Sequence, residues 1–514
     1  MKKNKKQFGR KLALSMSLFM MVTMLGACNS KTATTKDATT TTKEELKEVT
    51  LKIFTAGDDK AGKADVLAAL AAQTKDKLNA KFEINFVAFG DYQNKLTMMA
   101  ASGDDYDAAF TADWFGYSNM VNKGAFLDLT ELAPKYAPNL YKIYKDNDML
   151  NSASVNGKLL ALPWTELKTS KPVFGYRKDI SDKLAITPGD LTTIEGIDTF
   201  VTAVAKANPG VIPFDLNIGG AGLKGDIVAL LAPKYEYLDM SYHSLFMDLN
   251  DATHKVVPLE QTPMFKEAVT LAKKWYDSGV ISKNAMSSKE SQPFESGKTF
   301  GQKNTAGRLY EKTNFTDPKA AAAAVEVYPD NKFIRDSQMN NAMAINKSAA
   351  NPERMLMFMD LISTDKAVYN TLMYGIKDKT YSLDANGIVG FATGESAAKP
   401  LWQGWNNWGF DRADFVLPTV SRTADAMKKE TEYATRENIV ISPISGFVPV
   451  SDAVKTDLAQ RDQIADEQGK LLLSGMVKGS VDADIATYVA KQKSAGLDKI
   501  LADVQKQVDA FTSK

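Results

Sequence analysis

Between residues 49 and 112 the apolar residues alternate between the two-residue beat of a strand and the 3.6-residue beat of a helix, and this restricts the fold more than any other feature. Val49–Thr55 (VTLKIFT) reads as a buried strand closed by Ala56-Gly57-Asp58-Asp59. Val66, Leu67, Leu70 and Leu78 then repeat at helical spacing, and Phe82, Ile84 and Phe86 alternate through a second strand at 81–89. Asp91 stands where it can cap the next helix, whose apolar face includes Leu96 and Met99. Residues 106–112 (YDAAFTA) read as a third strand, running into Asp113-Trp114. Strand–helix–strand units of this length build a parallel sheet with right-handed crossovers. Ligands of such sheets sit beyond the carboxyl ends of the strands. Three strand ends would therefore bring Gly57-Asp58-Asp59, Gly90-Asp91 and Asp113-Trp114 to one rim. Carboxylates accept hydrogen bonds from hydroxyls while an indole stacks on apolar C–H groups, a pairing suited to a sugar. Each acid alone serves equally as a helix cap, and the indole as a core aromatic.

A second α/β section begins near 170, with helices expected at 196–207, 263–278 and 351–363. The last opens on Asn351-Pro352, an N-cap followed by proline at the first helical position. The C-terminus reads as helices at 452–474, 482–494 and 497–511, where Leu497, Ile500, Leu501, Val504, Val508 and Phe511 share a face. Some 465 residues past the N-terminal segment exceed what one compact core holds, so two lobes are expected (about 100–150 residues is the usual domain size).

The N-terminus has a different character. Lys2, Lys3, Lys5, Lys6, Arg10 and Lys11 precede an apolar run from about Leu12 to Leu25, which ends Leu25-Gly26-Ala27-Cys28. A basic head, a short apolar core and small residues describe an export signal. Leu-Gly-Ala-Cys resembles the bacterial lipobox, which implies cleavage before Cys28 and acylation of its thiol. Asn29–Glu48 is rich in Thr and Lys with little to bury; it reads as a solvated tether spanning on the order of 25 Å. The six basic groups of residues 1–27, with no acid among them, turn the chain's formal +1 into −5 for the remainder. That balance argues against nucleic acid as a partner. Cys28 is the only cysteine, so no internal disulfide forms; His243 and His254 are the only histidines, which leaves few general bases or metal ligands. Gly220-Ala221-Gly222-Leu223-Lys224-Gly225 has the spacing of a dinucleotide fingerprint but lies mid-chain in an exported protein, where a loop is the better reading. Gly297-Lys298-Thr299 lacks the earlier glycine of a phosphate loop, that position being Gln292. No cofactor or metal site and no catalytic set is expected.

Half of the six tryptophans fall in Trp402-Gln403-Gly404-Trp405-Asn406-Asn407-Trp408. In a helix Trp402 and Trp405 would share a buried face; in a loop, tryptophans beside amides suit sugar contact, with Trp405 between Gly404 and Asn406 the best placed.

Several stretches resemble family 1 extracellular solute-binding proteins: Val155-Asn156-Gly157-Lys158 through Ala161-Leu162-Pro163, Tyr176-Arg177-Lys178-Asp179 with Asp182-Lys183-Leu184, Tyr374-Gly375-Ile376, Ile444-Ser445-Gly446-Phe447 and Ser494-Ala495-Gly496-Leu497-Asp498-Lys499. The last two are similar to the C-terminal region of a lipoprotein subgroup with large, mostly Gram-positive members. The resemblance implies a two-lobed, periplasmic-binding-protein-like α/β fold: a first lobe of 49–165 and 330–385, a second of 166–329 and 386–514, and crossings near 163–176, 325–335 and 375–390. It implies a monomer without enzymatic activity that is anchored by lipid outside the cell membrane, binds carbohydrate between its lobes and delivers it to an ABC permease. Ligand contact is then expected from Asp58, Asp59, Asp113, Trp114, Trp164, Glu166, Trp402, Trp405, Trp408 and Phe447. Two alternatives stay open. One is a polysaccharide hydrolase using carboxylates such as Asp113 and Glu166; the other is a binding protein for peptide-like cargo.

Overall fold

The computed structural model describes residues 46–513 apart from 104, 170, 208–209, 219–222, 224, 288–292, 306–314, 316, 318, 336–337, 395–399, 403–408, 420–421 and 451. Cys28, Trp405, Trp408 and most of the Gly220–Gly225 run lie outside the described residues.

Strand β1 (Val49–Ala56) buries Leu51, Ile53 and Thr55 completely. Helix α1 (Lys63–Leu78) lays Val66, Leu70, Thr74 and Leu78 on it, one residue per turn, and stops at Asn79. Asn79 adopts φ 43°, a left-handed cap that its short polar side chain tolerates better than most residues would. β2 (Ala80–Val87), α2 (Phe89–Ser102) and β3 (Ala108–Thr111) follow, with β2 and β3 both parallel to β1. Asp91 does not cap α2: the helix starts two residues earlier, and Asp91 lies in its first turn, where its charge still opposes the helix dipole. Asn351 precedes Pro352 as expected but makes no capping bond from its side chain.

The first sheet runs β2-β1-β3, then Ala342–Ile345 antiparallel to β3, then Leu162–Pro163. A second sheet orders Ala322–Glu326, Pro172–Arg177, Thr299–Thr305 and Ile212–Asp215. Each sheet carries its own hydrophobic core. A third cluster, around Leu245, Ile444, Leu458 and Val504, joins a small antiparallel sheet to the C-terminal helices. The fold is thus α/β with two cores. Among the described residues no helix is long and apolar enough to cross a membrane.

The chain passes between the cores at 164–171 and returns through 327–341. The third passage lies later than 375–390. Val389, Trp402 and Phe410 still belong to the first core, with Phe415, Val416 and Leu417 packed on it, so these residues belong with the first lobe. The chain then reaches Tyr433, which packs with Val173 of the second sheet, and pairs Ile439–Val440 in parallel with Phe333–Ile334.

These crossings carry buried charge. Glu166 meets Lys168 at 2.7 Å and Arg422 at 3.3 Å, and Arg422 also holds Glu430 at 2.6 Å. Burial alone would raise the Glu166 carboxyl; Lys168 and Arg422 outweigh it and hold the group below its usual range. Lys171, fully buried, bonds the carbonyls of Pro329 and Asn331 and pairs with Glu326, which Arg436 also reaches.

The expected C-terminal helix at 452–474 is interrupted. An α-helix at Lys455–Ile464 passes into a π turn at Ala465–Gly469 and resumes at Lys470–Leu473. At Gly469 a Cβ would lie 2.2 Å from a Leu223 methyl, so any side chain there would push the Leu223 side chain aside.

Trp402 is fully enclosed: Nε1 donates to the Leu372 carbonyl at 2.8 Å and the ring meets Phe86 edge-on. Trp402→Ala is expected to cost roughly 3–5 kcal/mol of stability. In thermal unfolding its midpoint should fall steeply, while the folded fraction keeps the ligand affinity of the parent.

Candidate functional site

A cavity of about 800 Å³ opens between the two cores. The first lobe contributes Asp113, Trp114, Tyr117, Ser118 and Asp148; the second adds Asn217, Asp226, Tyr237, Asp239, Tyr242 and Lys303. The return crossing supplies Phe333, Arg335, Gln338 and Asn340, and the loop after Val440 supplies Ser442, Ser445 and Phe447.

Asp113 and Trp114 stand just past the carboxyl end of β3, where a parallel strand order directs a ligand. Trp114 is 42% exposed yet held in place. Its Nε1 donates to the Asn340 carbonyl at 2.5 Å, and its ring lies 6.0 Å from Phe89 at an interplanar angle of 20° and 5.0 Å from Phe115. An aromatic face fixed from behind can stack on a ligand with little further ordering. The Tyr117 hydroxyl is buried at the cavity wall with no hydrogen-bond partner among the described residues, and burial raises its pKa. Such a group costs stability unless a ligand or water meets it. Phe447 is braced edge-on by Phe511 of the last helix.

Four carboxylates, Asp113, Asp148, Asp226 and Asp239, face two cations, Lys303 and Arg335. Asp226 opens the helix Asp226–Tyr235 and accepts the Asn217 N–H at 2.9 Å. Burial, opposed by that bond and by Lys303, pushes its carboxyl up to about 7. Burial lowers the Arg335 guanidinium, with Asp148 acting against the shift.

Of the expected contacts, the structure gathers Asp113, Trp114 and Phe447 at the cavity. Asp58 and Asp59 are exposed past β1 and do not line it; Asp59 pairs with Lys63. Trp164 lies in the first crossing under the Lys168 ammonium, 4.5 Å from the ring centre. Glu166 is committed to its ion pairs, so Asp113 and Glu166 do not face one another across the cavity as a hydrolytic pair. Trp402 is core.

A family profile described as bacterial extracellular solute-binding protein matches residues 67–377, more than half of the chain. The chain belongs to that family. A domain of unknown function matches residues 443–513 of this solute-binding protein. A carbohydrate ABC transporter substrate-binding protein of Streptococcus pneumoniae serotype 4 is 26% identical over 505 residues, 97% of either chain. The N-glycan transport solute-binding protein of Streptococcus pneumoniae superposes with a TM-score of 0.75 at 22% identity, over 90% of this chain and 99% of that one. Its complex with Man5GlcNAc gives 0.66 at 24%, over 90% and 98%. The same organism's FusA with kestose gives 0.61 at 16%, over 90% and 99%. These likenesses establish a shared two-lobed fold.

Sequence reasoning missed Tyr117, Asp226, Tyr237, Tyr242, Lys303 and Arg335. Only Asp226 left a signal, as the first residue after the glycine run.

Because the folded Asp226 holds its proton up to about pH 7 and an unfolded aspartate releases it near pH 4, folding is favoured below that window and loses stability as pH rises through it. Asp226→Asn should therefore gain in thermal midpoint over the parent between pH 5 and pH 8. A constant offset at both pH values would contradict the assignment.

Proposed function

We propose that this solute-binding protein captures an oligosaccharide in the cavity between its lobes and delivers it to an ABC import permease from the outer face of the cell membrane, where acylated Cys28 anchors it. The observation that carries this reading is the pairing of a braced, half-exposed indole with acceptor carboxylates in one cavity of about 800 Å³. That volume lies in the upper part of the ~300–1,000 Å³ range of small-molecule sites. The relatives named for carbohydrate, N-glycan and kestose support the ligand class. Family membership supports binding rather than turnover, and the hydrolytic alternative loses its carboxylate pair. Closure would follow from a ligand that contacts both lobes and so binds the closed form more tightly.

Calorimetric titration against Man5GlcNAc, kestose and a mixed peptide library tests the ligand class; peptide binding with no glycan binding would overturn it. Trp114→Ala should lower glycan affinity several-fold with a nearly unchanged thermal midpoint, since stacking contributes about 0.5–1.5 kcal/mol beyond buried area.

Cys28→Ser should release a folded, binding-competent protein into the medium, because stable attachment depends on the acyl chains. Full membrane retention of this variant would rule out the anchor.

A further inference from the structure

Ser241 and Tyr242 line the cavity from a hairpin that its sequence does not favour. Its strands, Tyr237–Tyr242 and Leu245–Asp248, pair Tyr242 with Leu245 and then slip register before Phe246. Two-residue hairpin turns require left-handed backbone, which Asn-Gly or Gly-Gly supplies most easily. Here the turn is His243-Ser244, at φ 46° and 56°, and Ser241 at the slip adds φ 52°. Three non-glycine residues within four thus hold a disfavoured conformation.

The partners that hold them come largely from elsewhere. Arg461, with no exposed surface, donates from Nη1 to the His243 carbonyl and from Nη2 to both carboxylate oxygens of buried Glu260 at 3.0 Å. Its neighbour Asp462 meets His243 Nδ1 at 2.8 Å. Gln492 donates to the Arg461 carbonyl, so the helix Val481–Ser494 backs the clamp. Ser244 is tied separately, its Oγ accepting the Leu223 N–H at 2.6 Å and its carbonyl the Leu259 N–H. Arg461, Asp462 and Gln492 all belong to residues 443–513, the domain of unknown function, which also sends Ile444–Phe447 into the cavity wall.

We infer that residues 443–513 are a component of the ligand site, in which Arg461 is a positioning residue that sets the 241–244 turn and so presents Tyr242 to the ligand. The carbohydrate reading enters only through the choice of ligand. A guanidinium supplies two forks where a lysine supplies one ammonium, which explains why one side chain can serve both His243 and Glu260.

The test pairs Glu260→Leu with Arg461→Met, which removes both buried charges together and leaves neither orphaned. Amide exchange read by mass spectrometry over 238–247 should accelerate at least tenfold, while β1 and β2 stay protected. Affinity for whichever of Man5GlcNAc and kestose the parent binds should fall as far as in Tyr242→Ala. A folded double variant whose turn exchanges like the parent's, or whose loosened turn leaves affinity unchanged, overturns the inference. Should the double variant not fold, Arg461→Lys carries the same readouts with the same expected losses. If the parent binds neither glycan, the carbohydrate reading fails, and exchange at the turn still decides the clamp.

Discussion

Charge is buried where the chain crosses between its cores, and the geometry of the cavity depends on that charge being matched. Glu166, Glu430 and Glu326 would each be intolerable alone in those places; Lys168, Arg422, Lys171 and Arg436 make them tolerable. Apolar packing of equal volume could join the crossings as firmly. Paired charges also demand a particular geometry, since a small displacement of one segment leaves a carboxylate facing nothing. The crossings therefore have a defined rest position, and the cavity walls inherit it.

Asp411, beside this network, follows the same logic from the other side. Burial first, and then the Glu166 charge, push its carboxyl up to about 7 against Lys168, Arg422 and Arg412. Glu166 and Asp411 thus share a cationic neighbourhood that fully stabilises only one of them as an anion.

The parts of the fold legible in the sequence are those whose partners are near in the chain or whose period is unmistakable. The first two strands of the parallel sheet, the helix at 263–278 and the terminal helix stand within a residue or two of where periodicity puts them. The rest depends on distant partners. Glu166 reads as a cleft acid until Arg422, 256 residues away, is beside it. Trp402 reads either as a core ring or as a sugar contact until Phe86 and the Leu372 carbonyl enclose it. Asp113 and Trp114 were legible because strand order alone directs them to the rim; Tyr242 and Arg335 were not, because a turn and a crossing carry no periodic signal.

The π turn at Ala465–Gly469 gives one helix two orientations. Each residue of an α-helix advances about 100°, so one extra residue in a turn rotates everything beyond it by nearly that amount. Ahead of the turn Leu458 packs in the cluster of the C-terminal helices; beyond it Leu472 and Leu473 pack in the core of the second sheet. Along its length the helix serves two neighbours, the C-terminal cluster at Leu458 and the second core from Ile464 and Ala465 onward. Deleting Gln468 alone would leave the charge of the helix unchanged, and still point its second half at the wrong neighbour.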